Sequence, residues 1–295
     1  MKPIGVITDS HSSISQAEAE RLGIRVLPMP FYIDGECYYE GINLTREEFF
    51  QKLESGSKIT TSQPSPADVY EIWDQALEEY EKMLYMPLTS GLSGSCQTAM
   101  AMAQEDKYEG RILVVDHGQI ASPLHQMVLD TLVLIEKGYS AETIKEILEA
   151  AKERMMIYIG VETLEYLKRG GRVTPAGAAL GAVLNIKPIL KLETGKLDAY
   201  KKCRGFAKAK KIMIDSMKTE IETRFADAMA DGQVHLLAAS SAPDEVTDEW
   251  VKEIEDAFPG MSVLCDPLSL GVSCHTGGGA LGIGCAVVPD YKWNA

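Results

Sequence analysis

Four stretches of this chain gather residues that could do chemistry. In Leu88-Thr-Ser-Gly-Leu-Ser-Gly-Ser95, hydroxyls and glycines separate an apolar run, Lys82 to Pro87, from an alanine-rich amphipathic segment, Gln97 to Gln104. Gly91-Leu-Ser93-Gly-Ser95 differs by one residue from the Gly-x-Ser-x-Gly nucleophile elbow, Ser95 standing where the second glycine belongs. Ser93 can therefore be read as a nucleophile, a binding hydroxyl or a helix cap. Two further stretches, Thr8-Asp9-Ser10 and Thr60-Thr61-Ser62-Gln63-Pro64-Ser65, also place hydroxyls at the ends of strand-like segments. Hydroxyls and free N–H groups at a helix start can donate to a carboxylate or phosphate, and the helix dipole favours the negative charge. One such loop alone is most simply a cap. Three in one α/β half point to a shared anion-binding crevice beyond the carboxyl ends of the strands.

The fourth stretch is Ser273-Cys-His275-Thr276-Gly-Gly-Gly-Ala-Leu-Gly282. Its glycines would let backbone approach a ligand closely, and His275 could donate to an anion or shuttle a proton. A histidine in a Thr-Gly-Gly-Gly turn is hard to bury by packing, which favours function over structure. His11, His117, His125 and His235 have no partner at metal-ligand spacing, so no metal site is expected. Asp9 and Asp116 end predicted strands and could orient hydroxyls or cap helices, capping being the simpler role for Asp116. The glycine-rich stretches match neither Gly-x-Gly-x-x-Gly after a strand nor the P-loop, so no cofactor is expected.

These residues need elements to position them. The N-terminal half alternates strand-like and helix-like segments, the pattern of a parallel sheet with crossover helices. Pro3 to Thr8, Arg25 to Ile33, Lys82 to Leu88 and Arg111 to Asp116 read as strands. Ser65-Pro66 with Asp68 supplies a cap, a first-turn proline and a first-turn acid, predicting a helix from Ala67 to Tyr80. The last helix of this half starts at Ser140. From Met155 the texture changes: Met156 to Val161, Lys187 to Leu192 and Gly195 to Tyr200 are short β-like runs, the last two joined as a hairpin through Glu-Thr-Gly-Lys. A helix over Ala207 to Phe225, a strand at Val234 to Ala239, a helix over Asp244 to Phe258 and a strand at Gly282 to Val288 follow. The expected architecture is two α/β domains, 1-155 with a parallel sheet and 156-295 with a mixed or antiparallel one.

Composition narrows the function. The 295 residues can bury a large core, and 45% hydrophobic with 24% charged residues is a globular balance. No apolar run reaches the roughly 18 to 20 residues that span a bilayer, and the N-terminus is too short and strand-like for a signal peptide, so a cytoplasmic location is expected. Six scattered cysteines form no Cys-x-x-Cys pair and read as reduced structural thiols. A net charge of -14 repels polyanions and excludes nonspecific nucleic-acid binding. Against it stand two basic clusters, Lys168-Arg169-Gly-Gly-Arg172 and Lys201-Lys202-Cys-Arg204 with Lys208, Lys210 and Lys211, which suggest a local anion site or a docking surface for an acidic partner.

Thr8-Asp-Ser10, Thr61-Ser-Gln-Pro-Ser-Pro66, Ser90-Gly-Leu-Ser-Gly94, Leu167-Lys-Arg-Gly-Gly-Arg172, Lys187-Pro-Ile-Leu190 and His275-Thr-Gly-Gly-Gly-Ala-Leu-Gly282 occur in an order and spacing that resembles the DegV family over essentially the whole chain. That family includes the fatty-acid-binding subunits of bacterial fatty acid kinase. The resemblance implies a two-domain α/β protein holding one long-chain fatty acid, its tail in a buried apolar tunnel and its carboxyl at the domain interface. A separate ATP-dependent kinase subunit would convert that carboxyl to an acyl phosphate, with transient membrane-surface contact as the lipid is loaded or released. It further implies that Thr61 and Ser93 hold the carboxyl, supported by Ser62, Gly94 and Thr276. Arg172, Arg204 and His275 would lie near phosphoryl transfer or kinase docking. The chain departs from the family pattern at His117-Gly-Gln-Ile-Ala-Ser122, where a small hydroxyl residue is expected beside Asp116, and at Gly205-Phe206, which interrupts a usually more polar stretch. These bear on the acyl-chain preference and on partner contacts.

On this reading the chain has no turnover of its own, and Ser93 donates to a ligand while Ser95 or nearby backbone starts the helix. Two alternatives stand beside it. One is a serine hydrolase using Ser93, His275 and an acid such as Asp9; the other is a carrier of another small carboxylate or phosphorylated metabolite.

Overall fold

A computed structural model of the chain describes residues 1–179, 186–193 and 196–293. Its strands, in chain order, are β1 (Lys2–Asp9), β2 (Arg25–Leu27), β3 (Phe31–Ile33), β4 (Glu36–Tyr38), β5 (Ile59–Thr61), β6 (Tyr80–Met86) and β7 (Ile112–Val114), then β8 (Met155–Gly160), β9 (Ile186–Glu193), β10 (Lys196–Arg204), β11 (Val234–Ser240), β12 (Val263–Pro267) and β13 (Leu281–Val287). They form a four-stranded sheet of order β2-β1-β6-β7, a three-stranded sheet β4-β3-β5 and a six-stranded sheet β10-β9-β8-β13-β11-β12. The first is wholly parallel, and the third is antiparallel except where β11 runs parallel to β12. No helix among the described residues is long and apolar enough to cross a membrane.

Local chemistry explains the elements the sequence foreshadowed. Ser65 and Asp68 close a reciprocal capping box, Pro66 takes the first turn, and the helix runs Pro66–Glu79. Ser140 caps Ala141–Ala150 by accepting the Thr143 N–H. Side chains along β1 and β6 alternate between two cores, as the two-residue period of a strand requires. Val6, Leu84 and Met86 meet Leu124, Val128, Ile144 and Ile147 on one face. Ile7, Met83 and Tyr85 meet Trp73, Cys96 and Tyr108 on the other. The strands of the β9–β10 hairpin pair with Lys196 opposite Glu193; its predicted turn at Thr194 and Gly195 lies outside the described residues.

Two expectations need correction. The predicted strand Arg25 to Ile33 is two strands in different sheets, β2 beside β1 and β3 in the small sheet. Pro28 and Pro30 lie between them, and prolines lack the N–H that a continuous ladder needs. His275 and Thr276 are not in a glycine loop but in the last turn of a helix, Leu270–Thr276, capped by Ser269 and ended by Gly277 at φ 75°. Two further strands of the small sheet, β4 and β5, are not anticipated by the sequence because each is only three residues long, and neither is the helix Arg46–Glu54 with its Thr45/Glu48 capping box.

The two halves interlock. The helix Ala121–Glu136 covers one face of the parallel sheet and also reaches the six-stranded sheet: Ser122 donates to the Ala238 carbonyl and accepts from the Asp266 N–H, and His125 Nδ1 sits 3.1 Å from both Asp266 oxygens. In return, Leu270 and Cys274 complete the core of the small sheet around Phe31, Phe49 and Ile59.

Candidate functional site

One face of the six-stranded sheet is filled by the helices Phe206–Thr223 and Asp244–Ala257, through Met213, Met217, Trp250 and Ile254 against Tyr158, Leu281, Ile283 and Cys285. On the opposite face, between the sheet and the start of the Ala121–Glu136 helix, lies a narrow apolar cavity. Ile157 and Ile159, Leu237 and Ala239, and Gly282 and Gly284 line it, each pair two residues apart on one strand. Both glycines are therefore side-chain positions left empty, which leaves a groove along β13 on the cavity-lining face.

A more polar cavity adjoins it, and Leu92, Ile120, Leu197, Val272 and Thr276 line both. The polar mouth adds His11, Thr61, Ser62, Ser93, Arg172 and His275. Thr61 ends β5, Ser93 lies in the turn between β6 and the helix Ser95–Met102, and His275 lies on the helix that crosses over from the C-terminal half. Thr61 Oγ1 and His275 Nε2 are 2.9 Å apart. Ser93 Oγ accepts the Ser95 N–H at 3.2 Å, so it braces the helix start while its own O–H stays available to donate. Ser90 bonds Asp116 through both its N–H and its hydroxyl, and Lys152 holds the same carboxylate at 2.7 Å. That network pins the turn carrying Ser93.

The electrostatics set the charge state of His275. Burial, with Arg172 and then His11 nearby, pushes His275 down to about 4, so it is a neutral imidazole at pH 7. Its Nδ1 faces the Gly170 backbone so closely that a Cβ there would lie 1.9 Å away. Arg172 donates through Nε to the Leu92 carbonyl at 3.2 Å and also to Gly170, which ties the basic loop to the Ser93 turn.

Of the residues singled out in the sequence, Thr61, Ser62, Ser93, Arg172, His275 and Thr276 line the mouth. Thr276 spends its hydroxyl on the Val272 and Gly277 carbonyls. Gly94 caps the helix outside the lining, and Arg204 is exposed at the end of β10, lining neither cavity. Of the Thr8-Asp9-Ser10 triplet, Thr8 ties β1 to the Met86 carbonyl and Ser10 accepts the Met29 N–H. Neither hydroxyl lines the mouth, so two of the three expected hydroxyl loops reach the crevice. The sequence reading passed over His11, whose only signal was its place directly after that triplet. The hydrolase arrangement does not assemble either: among the described hydrogen bonds none joins Ser93 to His275 or His275 to Asp9, and Asp9 bonds His11 instead.

Fold and site together define a two-domain α/β protein with an apolar cavity along its mixed sheet, adjoining a mouth of hydroxyls and histidines. The model of the DegV family matches residues 3–287, and the chain belongs to that family. A DegV domain-containing protein of Caldanaerobacter subterraneus subsp. tengcongensis is 31% identical over 288 residues, 96% of this chain and 98% of its own. Among solved structures, one described as fatty acid binding of a DegV family protein from Thermus thermophilus has a TM-score of 0.83 and 33% identity, covering 97% of this chain and 99% of that one. DegV of Bacillus subtilis, described as a fatty acid binding protein, has a TM-score of 0.81 and 26% identity, covering 97% of this chain and all 100% of its own.

Proposed function

We propose that this chain binds one long-chain fatty acid, its tail along the groove left by Gly282 and Gly284 and its carboxyl at Thr61 and Ser93, and presents that carboxyl to a separate ATP-dependent kinase subunit. The observation that carries the reading is an apolar cavity that shares five lining residues with a hydroxyl-lined mouth. Related structures described as binding fatty acids support it. Each buried methylene contributes about 0.8 kcal/mol, so about fifteen give on the order of 12 kcal/mol before association costs. The tail supplies affinity and the hydroxyls fix the head. Arg172 beside the mouth is placed to meet phosphate charge as it appears, and exposed Arg204 is placed to meet the kinase.

Denaturing the purified protein and analysing the released small molecules by mass spectrometry tests the first half: stoichiometric long-chain fatty acid is expected. Its absence, with Ser93 labelled by a fluorophosphonate, would establish the hydrolase instead, and recovery of a short carboxylate the other carrier. Ser93→Ala should lower fatty-acid retention several-fold with the fold intact. For the second half, Arg204→Glu should slow acyl phosphate formation by an added kinase subunit and ATP without unloading the lipid; an unchanged rate would remove Arg204 from the docking face.

A further inference from the structure

The mouth contains a second imidazole whose surroundings are opposite to those of His275. Asp9 is fully buried at the end of β1, and three N–H groups converge on its carboxylate. These are the backbone N–H of His11 at 2.9 Å, His11 Nδ1 at 3.2 Å and the backbone N–H of Leu88 at 2.7 Å. A carboxylate only accepts hydrogen bonds, so Nδ1 carries the hydrogen, and in the neutral ring the lone pair lies on Nε2. The ring lines the mouth together with Thr61, Ser93 and His275. Nε2 lies against Gly271, also of the lining, where a Cβ would come within 2.7 Å. This is the Asp–His arrangement of a positioned proton acceptor, in a ring that lines the same cavity as the proposed carboxyl-binding hydroxyls.

We propose that His11 takes up the proton of the bound fatty acid, so that in the loaded protein the carboxyl is a carboxylate and His11, backed by Asp9, is an imidazolium. The inference rests on the carboxyl site proposed above. The step balances within the mouth: the carboxyl O–H bond breaks, an N–H bond forms at Nε2, and the net charge of the mouth is unchanged. Burying a lone carboxylate is costly; a cation created beside it offsets that cost, and the oxygen is left ionised for attack on a phosphoryl group. His275 is unsuited to this role, because Arg172 faces it and its Nε2 is already paired with Thr61. The charged and titratable groups around His11 are Asp9, Glu40 behind the Leu270 N–H, Arg46 beside Glu40, His275 and Arg172.

The test loads the full chain with palmitate labelled with carbon-13 at the carboxyl and follows that signal by NMR from pH 4 to 8. In the wild type the bound carboxyl should stay ionised down to the acid end. In His11→Gln its midpoint should rise by roughly one to three pH units, the size expected for removing a cation within about 4 to 6 Å. Nitrogen-15 histidine spectra of the wild type give a second reading that needs no variant. At pH 7 His11 Nε2 should become protonated on loading while His275 stays neutral. Bound palmitate with an unmoved midpoint in His11→Gln, or with His11 still neutral, would overturn the inference. Failure of palmitate to bind the wild type at all would overturn the proposed carboxyl site instead.

Discussion

Thr61, Ser93 and His275 come from segments far apart in the chain, and single contacts decide how they meet. Gly170 is one such point. The helix Glu165–Gly170 ends against the His275 ring, and a methyl group at position 170 would lie 1.9 Å from Nδ1 and 2.5 Å from Cε1. Nothing that close survives, so Gly170→Ala should push the ring aside and break the 2.9 Å contact with Thr61. Co-purified fatty acid should drop several-fold while far-UV circular dichroism is unchanged; full retention would show that the Thr61–His275 pair is dispensable for holding the head. Ser93 illustrates why residue type alone left three roles open. Its oxygen accepts the N–H at the helix start while the residue lines the mouth, so a cap and a proposed ligand donor are one and the same group.

At the scale of elements, β13 carries the most specific information. Leu281, Ile283 and Cys285 point into the helical core, and Gly282 and Gly284 alternate with them onto the cavity face. A Cβ at 282 would meet nothing nearer than the Ala239 carbonyl at 3.5 Å, so a larger side chain fits the strand and projects into the groove. Gly282→Val should therefore leave stability within about 1 kcal/mol of wild type, the scale of strand-propensity differences. It should also shift the lipid recovered by mass spectrometry toward shorter chains or abolish it. Unchanged chain length would mean that the tail runs elsewhere. The glycine alternation was visible in the sequence, but a glycine in a strand reads equally as a bulge or a close approach; only the pairing of β13 between β8 and β11 shows which face is opened. The helix caps at Ser65 and Ser140 were legible because they are local. Strands β4 and β5 of the small sheet were not, because each is shorter than the pattern needed to see it.

The whole molecule stores its histidines in different states, and this makes its stability pH-dependent. Burial pushes His117, and with help from Arg172 and His11 also His275, down to about 4. As pH falls below their ordinary value of 6.5 the unfolded chain binds these protons and the folded chain does not, so folding stability is lost on acidification. Two such groups give a slope approaching about 2.7 kcal/mol per pH unit between roughly pH 6 and 5. His125 has the opposite sign: burial opposes its charge, but Asp266 and Glu18 carry it above its ordinary value. Its contribution is present below 6.5 and fades as pH rises through the folded value. Urea midpoints at pH 7, 6 and 5 should thus fall toward acid, and a flat profile from pH 6 to 5 would show that His117 and His275 protonate without unfolding. Because His125 and Ser122 bond across to Asp266 and Ala238, that stability belongs jointly to both halves.

The sequence by itself determined the elements whose signals are local or periodic: the alternating strands and helices of the N-terminal half, the capped helices, the antiparallel pairing of β9 with β10, and the hydroxyl, basic and histidine motifs. These follow from backbone sterics, capping and hydrophobic period, which act over a few neighbouring residues. Only the tertiary structure decided that Pro28 and Pro30 divide one apparent strand between two sheets, that His275 ends a helix, that Arg204 stands apart from the mouth, and that His11 enters it backed by Asp9. Those outcomes depend on which distant segments pack together, here a C-terminal helix seated on an N-terminal sheet. Burial, and with it the charge state of each histidine, is set by that packing and by no short stretch of chain.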